Sequence, residues 1–369
     1  MNGSRDGFYA RFLPGLPLWT IVAPLLGWAM LAVNRLGVAG ALPYLIGVGL
    51  VVCVLASVHH AEVIAERIGE PFGTLVLTLA VTLIEVSLIV SLMSAGGHEA
   101  TALARDTVFA TVMLILTGVI GLCLIVGGAR HREQPFQVAA ATASLVTLAA
   151  ITVLTLIFPN YTVTVPGPFY SASQLTLIAI VSIVIYGTYI FTQTVEHRDY
   201  FLHGEHADIG VSEPRLVSNA LTATSAVLLM LSLAAVIVLA EHLAPSLEAA
   251  VKRAGAPNAL VGILVAAMVL MPEALAALRA ARQNRLQTSL NLALGSALAS
   301  IGLTIPVVSL LSLYSGSRLE LGIDTKSSVL LILSLFLMAL VLRTGRTIVL
   351  HGVVLLVIFV VYVFTTVVP

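Results

Sequence analysis

Runs of about twenty residues with almost no charge recur along this chain from end to end, and they constrain its folding more than any other feature. In GTLVLTLAVTLIEVSLIVSL, Gly73 to Leu92, one residue of the twenty is ionisable. A helix needs ~20 mostly apolar residues to cross the ~30 Å hydrocarbon layer of a bilayer. Eleven such stretches are legible, near 17–34, 38–58, 72–94, 107–127, 137–158, 173–194, 217–240, 257–278, 288–313, 328–342 and 347–366. Lipid offers no hydrogen bonds, so each span must satisfy its own backbone, and a helix does so within one segment. The expected fold class is therefore an all-α polytopic membrane protein. With 59% hydrophobic and 10% charged residues, the chain does not have the composition of a soluble domain.

Charge narrows the partners and sets an orientation. The 18 basic residues are matched by 18 acidic ones, which leaves no basic surplus for nucleic acid. Cys53 and Cys123 fall inside apolar blocks, where Cys acts as a small hydrophobe, and no disulfide is expected. MNGSRDGFYARFLPG, at the start, lacks a cleavable signal pattern and reads as a cytoplasmic leader. Placing it inside puts Arg5, Arg11, Arg67, Arg130, Arg132, Arg198, Arg215, Arg279, Arg282, Arg285, Arg343 and Arg346 on the cytoplasmic side. Arg35, Arg105, Lys252, Arg253, Arg318 and Lys326 fall on the other. The excess inside favours a cytoplasmic N-terminus and an outer C-terminus, with an inner membrane as the location.

The two halves echo each other across a polar connection, TVEHRDYFLHGEHADIGVSEPRLVSN, Thr194 to Asn219. Gly73 to Leu92 has a counterpart in VGILVAAMVLMPEALAALRA, Val261 to Ala280, and each carries one Glu at its thirteenth position. The division expected is a tail with a leading span (1–36), a five-helix repeat (37–194), a polar loop (195–216) and a second five-helix repeat (217–369). Five is odd, so the repeats are inverted, an arrangement that in transporters places sites near the midplane.

Glu85 and Glu273 are the only acids deep inside these spans, and no Lys or Arg lies deep in any of them. A charge at the centre of a membrane helix costs ~3 kcal/mol on insertion scales, so such a carboxylate faces the protein interior and needs an answering charge. Without a fixed base, that answer is mobile: a proton or a metal cation. Two carboxylates match a divalent ion, and Ca²⁺ takes six to eight oxygen ligands. Thr82 and Thr78 lie three and seven residues before Glu85, on the same helical face. Pro272 is expected to break its helix and free carbonyl oxygens beside Glu273. Glu62, Glu66 and Glu70, at i, i+4 and i+8, form an acidic face at the end of the preceding span.

HHAEVIAERIGEPFGTLVLTLAVTLIEVSLIV, His59 to Val90, and ILVAAMVLMPEALAALRAARQNRLQTSLNLALGSALASIGLTIPVV, Ile263 to Val308, together resemble the two alpha-repeats of the calcium/cation antiporter superfamily. The likeness is nearest to the proton-coupled Ca²⁺ exchanger branch, in particular its bacterial ChaA type. The resemblance implies a sodium/calcium exchanger-like fold and makes Glu85 and Glu273 the cation- and proton-binding glutamates. Through NLALGSALAS it also places Asn291 and Ser296 beside the site, with Ser300 one turn on. Glu62 resembles part of an acidic cytoplasmic mouth, with Glu66 and Glu70 on the same face. In RDTVFATVMLILTGVIG, Asp106 and Thr107 sit near the start of the partner helix and Thr111 is its candidate site residue. Plant and fungal relatives show Gly-Asn before each x-x-Glu; here those positions read Val81-Thr82 and Val269-Leu270, so one carbonyl-bearing side chain is missing from each half. The choice among Ca²⁺, Na⁺ and K⁺ stays open on that account. His203, Glu205, His206 and Asp208, with Glu196, His197 and Asp199 before them, have no closed metal spacing and read as a linker.

The function expected is a secondary antiporter that exports Ca²⁺, with Na⁺ and K⁺ as further candidates, in exchange for H⁺. A monovalent cation/proton antiporter and a cation channel are the alternatives. His-Glu-x-x-His and paired membrane Asp are both lacking, which argues against an intramembrane protease, and no ATP motif is present. No cofactor is expected beyond the transported ions. The expected partners are membrane lipid, cations and protons; a homo-oligomer is compatible with such a chain.

Overall fold

The computed structural model describes residues 16–35, 42–68, 72–96, 101–196, 218–255, 257 and 259–368. Its helices are α1 (Leu18–Arg35), α2 (Leu42–Ile68), α3 (Phe72–Gly96), α4 (Leu103–Met113), α5 (Ile120–His131), α6 (Val138–Thr152), α7 (Ala172–Phe191), α8 (Asn219–Arg253), α9 (Ala259–Arg282), α10 (Leu286–Ser315), α11 (Thr325–Arg343) and α12 (Val349–Val367). A π-helical turn, Leu114–Val119, joins α4 to α5 in one continuous span. Among the described residues, nine helices are long and apolar enough to cross a membrane, and Leu18–Val33 and Thr78–Ser91 are shorter apolar stretches. Together these match the eleven spans expected.

Three departures have physical causes. α9 runs unbroken through Pro272, against the expected break. Membrane helices tolerate proline because neighbouring groups take over the freed backbone partner. α8 has 35 residues, well beyond the span read from hydropathy, because its polar last turns remain helical through Pro245 to Lys252 and Arg253. The long Leu103–His131 span contains the π turn, a widened turn that hydropathy does not register. Residues 1–15, Glu70 and most of the central loop, including His203, Glu205, His206 and Asp208, lie outside the described residues.

The chain forms two compact units, Met1–Ile84 with Val211–Ser246, and Glu85–Gly210 with Leu247–Pro369. In the first, α1 packs on α2, and a Cβ at Gly27 would lie 2.8 Å from the Cys53 Sγ. Trp28 Nε1 donates to the Leu231 carbonyl at 3.2 Å, tying α1 to α8. Cys53 and Cys123 are both buried and free, as small apolar residues would be.

In the second unit α10 is the central helix, packed against α4, α6, α7 and α9. Its buried positions include Ala293, Leu294, Ala297, Leu298, Ile301 and Ile305, whose small and medium side chains fill the spaces between helices. A Cβ on Gly262 of α9 would lie 3.0 Å from the Asp106 backbone of α4, so glycine sets that approach. α5 and α12 meet at Gly121 and Gly352, where a Cβ on Gly352 would lie 2.6 Å from the Gly121 carbonyl oxygen.

Each end of this unit is tied by polar contacts. At one, β1 (Gln134–Pro135) pairs antiparallel with β2 (Arg346–Thr347), and Gln134 Nε2 donates to the Ala281 carbonyl at 2.9 Å. At the other, Arg105 bonds Asp106 and Glu320, and Asn160 Nδ2 donates to the Ile323 carbonyl at 2.6 Å. The first end gathers Arg130, Arg282 and Arg346, and the second Arg105, which is how the sequence sorts these residues between the two sides. Substituting Gly352→Val should lower stability by about 1–3 kcal/mol through overpacking. A thermal melt of the purified protein in detergent reads this as a lower midpoint; an unchanged midpoint would mean that α5 and α12 do not approach so closely.

Candidate ion-exchange site

Glu85 lies near the middle of α3 and is 2% exposed. Two side-chain hydroxyls converge on it from other helices. Ser300 Oγ, half-way along α10, donates to Glu85 Oε1 at 2.6 Å, and Thr111 Oγ1 of α4 donates to the same oxygen at 3.1 Å. Ser300 is 1% exposed and Thr111 is fully buried, so all three groups are withdrawn from water. No charged side chain stands among the partners of Glu85 within the described residues. A hydroxyl has one proton to give and two lone pairs. The cluster can therefore donate toward a carboxylate or, after the hydroxyls rotate, present oxygen to a cation.

α9, which carries Glu273, packs against both α4 and α10, the helices that supply Thr111 and Ser300. Glu273 is half-buried there, one residue beyond Pro272. Thr82 is 4% exposed and its hydroxyl donates to the Thr78 carbonyl at 2.8 Å, the back-bond common for Thr in membrane helices. Thr78 is half-buried. Asn291 Oδ1 accepts from Gln287 Nε2 at 2.8 Å, one turn from the start of α10 and more than two turns before Ser300. Ser296 is half-buried one turn before Ser300. Glu62 and Glu66 are exposed near the end of α2, with His59 Nδ1 3.8 Å from Glu62 Oε2. Of the candidates, then, Ser300 and Thr111 are the residues whose contacts reach Glu85.

Thr304, one turn beyond Ser300, was not legible as a site residue, and Thr107, one turn before Thr111, had only its position to mark it. Both are fully buried, and neither hydroxyl oxygen has a hydrogen-bond partner among the described residues. The available signal was their spacing of four from Ser300 and from Thr111. Beyond Thr107 lies the Arg105, Asp106 and Glu320 group, in which Arg105 Nε donates to Asp106 Oδ1 at 2.8 Å and Nη1 to the Gly322 carbonyl at 3.1 Å. No sequence pattern pairs Arg105 with a residue as distant as Glu320.

The family described as sodium/calcium exchanger protein matches residues 38–195 and 224–368. The chain belongs to the sodium/calcium exchanger family. It is 46% identical over 361 residues to the protein y4hA of Sinorhizobium fredii, covering 96% of this chain and 97% of that one. The sodium-potassium/proton antiporter ChaA of Escherichia coli is 35% identical over 320 residues, 86% of each chain. The fold agrees with that of native YfkE, at a TM-score of 0.69 and 19% identity over 95% of this chain and 100% of that one. It agrees equally with the H⁺/Ca²⁺ exchanger CAX, at a TM-score of 0.69 and 16% identity over 94% and 87%. The protein is thus a multi-pass membrane cation exchanger with the exchanger fold, a secondary transporter and not an enzyme.

Bonds to a charged group are worth ~1.5–3 kcal/mol, so removing one hydroxyl from this exchanger should slow ion exchange by roughly 10–100-fold. Ser300→Ala, which deletes the shorter bond, should cost more than Thr111→Val, and Thr111→Ser should restore most of the rate. Initial exchange rates in proteoliposomes decide this, and parent-like rates in both deletions would remove the hydroxyls from the site.

Proposed function

We propose that the protein is a cation/proton antiporter working by alternating access, with Glu85 and Glu273 as the shared cation and proton site, and that it exports Ca²⁺ across an inner membrane. The observation that carries the proposal is the burial of Glu85 among hydroxyls, with no charged partner among the described residues. A carboxylate so placed is satisfied in two ways, by a proton or by a cation, and these exclude each other on the same oxygens. That exclusion is the coupling.

In the cation-loaded form the carboxylates are ionised and Ser300 and Thr111 turn their lone pairs to the ion. On release, protons occupy the carboxyls and the hydroxyls pair with them instead. Rocking of the repeats about the site then exposes it to alternate sides. The two segments that match the family, 38–195 and 224–368, support setting the repeats at 37–194 and 217–369. Two carboxylates limit the cycle to two protons per Ca²⁺, an electroneutral exchange. The N-terminus is cytoplasmic and the C-terminus outside, on the arginine distribution described above.

A second reading, monovalent Na⁺ or K⁺ exchange for H⁺, is favoured by a specific observation. Thr82, a hydroxyl, and Leu270, with no polar atom, stand where plant and fungal relatives carry Asn, so a six-to-eight-coordinate ion would find fewer oxygens here. The relative at 35% identity is named a sodium-potassium/proton antiporter, while the solved exchanger CAX is named for H⁺ and Ca²⁺.

Proteoliposomes under an imposed pH gradient separate the two. Gradient-dependent uptake of radioactive Ca²⁺ should be abolished by Glu85→Gln and by Glu273→Gln. Competition by Na⁺ and K⁺ ranks the ions; gradient-driven Na⁺ uptake with no Ca²⁺ uptake selects the monovalent reading. Retained coupling in either variant would overturn the two-glutamate site, and cation flux without proton flux would indicate a channel.

A further inference from the structure

At the end of the second unit that holds the β1–β2 pair, a cavity of about 540 Å³ is lined by Arg130, His131, Arg279, Arg282 and Gln283. No carboxylate lines it among the described residues. The nearby Glu133 is engaged with Arg346 at 3.5 Å, and none of Arg130, Arg279 and Arg282 has a carboxylate partner among the described residues. Three guanidiniums drawn to one cavity repel each other unless an anion sits between them.

Basic residues in last helical turns commonly do no more than satisfy terminal carbonyls. Here that work is done by other groups. α9 closes in a Schellman arrangement, with Asn284 at a φ of 63°, the Arg285 N–H on the Ala280 carbonyl at 2.9 Å and the Asn284 N–H on the Ala281 carbonyl at 3.2 Å. The Gln283 N–H donates to the Arg279 carbonyl at 3.2 Å, and Gln134 Nε2 reinforces Ala281 at 2.9 Å. His131 Nε2 donates to the Arg282 carbonyl at 3.0 Å, which binds the end of α5 to the end of α9 and holds the two basic pairs together. The guanidinium donors are left over for a ligand.

An apolar track runs below the charges on both helices. Leu275, 43% exposed, precedes Arg279 by four residues and Arg282 by seven, so all three share one face of α9. Leu122, 44% exposed, precedes Arg130 by eight on α5. A charged cavity at the ends of two membrane spans, above exposed apolar side chains, has the polarity of a phospholipid: anionic phosphate at the headgroup level, acyl chain along the helix. Guanidinium forks suit phosphate oxygens in two-point contact.

We infer that the Arg130, Arg279 and Arg282 cavity is a binding site for the phosphate of an anionic membrane phospholipid. The charged residues that set topology by sidedness need not converge, so convergence with unused donors is what separates this site from an orientation signal.

The test uses the purified full-length protein in neutral detergent, titrated with phosphatidylglycerol or with phosphatidylcholine, bound lipid being counted by native mass spectrometry. Phosphatidylglycerol should be retained about ten-fold better than phosphatidylcholine, and inorganic phosphate should not displace it. The triple variant Arg130→Gln, Arg279→Gln, Arg282→Gln should lose that preference, whereas Arg343→Gln, at the same end but outside the cavity, should keep it. If the triple variant does not fold, Arg130→Lys, which keeps the charge and loses the fork, should show a reduced preference. Equal retention of the two lipids by the parent, or an intact preference in the triple variant, overturns the inference. Displacement by inorganic phosphate overturns the lipid assignment and makes the cavity a free-anion site.

Discussion

A carboxylate held deep in a helical membrane bundle by two hydroxyls, with no guanidinium or ammonium among the described residues to neutralise it, is the interaction around which the rest of this molecule is arranged. Burying the ionised group without compensation is costly, and in proteins that cost is usually met by a fixed opposite charge or by protonation. At Glu85 the partners are neutral and rotatable. Ser300 and Thr111 both donate to Oε1, and each retains lone pairs that another state can use. A fixed base in their place would neutralise the carboxylate permanently.

Three helices have to be brought close for those bonds to form, and the packing shows how. α10 runs through the centre of its unit on small residues, and α9 reaches α4 because Gly262 lets the Asp106 backbone approach. Small side chains matter here because lipid gives helices no hydrophobic reason to associate, so close van der Waals contact must supply the attraction. The π turn follows directly on α4, beginning three residues after Thr111. It changes the helical phase between the part of the span that faces Glu85 and the part, α5, that meets α12 at Gly121. One continuous span thereby serves two different neighbours.

The ends of the unit divide the remaining polar work. At one, Arg105 is shared by Asp106, Glu320 and the Gly322 carbonyl, one cation against two carboxylates. At the other, the helix-end carbonyls are satisfied by main-chain N–H groups, Gln134 and His131, leaving arginines in excess. The buried hydroxyls of Thr107 and Thr304 lie between Glu85 and the first end, each one turn beyond a residue that holds the carboxylate.

Much of this was legible from residue order. Apolar runs of bilayer length dictate helices, because no other single segment satisfies its own backbone in lipid, and eleven of them emerged where hydropathy placed them. Glu85 and Glu273 stood out because nothing basic shares their depth, and the family resemblance of NLALGSALAS put Ser300 one turn beyond Ser296. Residue order could not decide which hydroxyl meets Glu85, since Thr78 and Thr82 share its face of α3 while Thr111 and Ser300 come from elsewhere in the chain. Nor could it show that α9 stays helical through Pro272, that a π turn interrupts the Leu103–His131 span, or that Arg130 and Arg282 converge on one cavity. Hydropathy and periodicity are properties of one segment and its solvent, and so the sequence alone determined the spans and the two acids set deep within them. Contacts between residues far apart in the chain depend on how closely helices approach and at what rotation, and only the tertiary structure decides that.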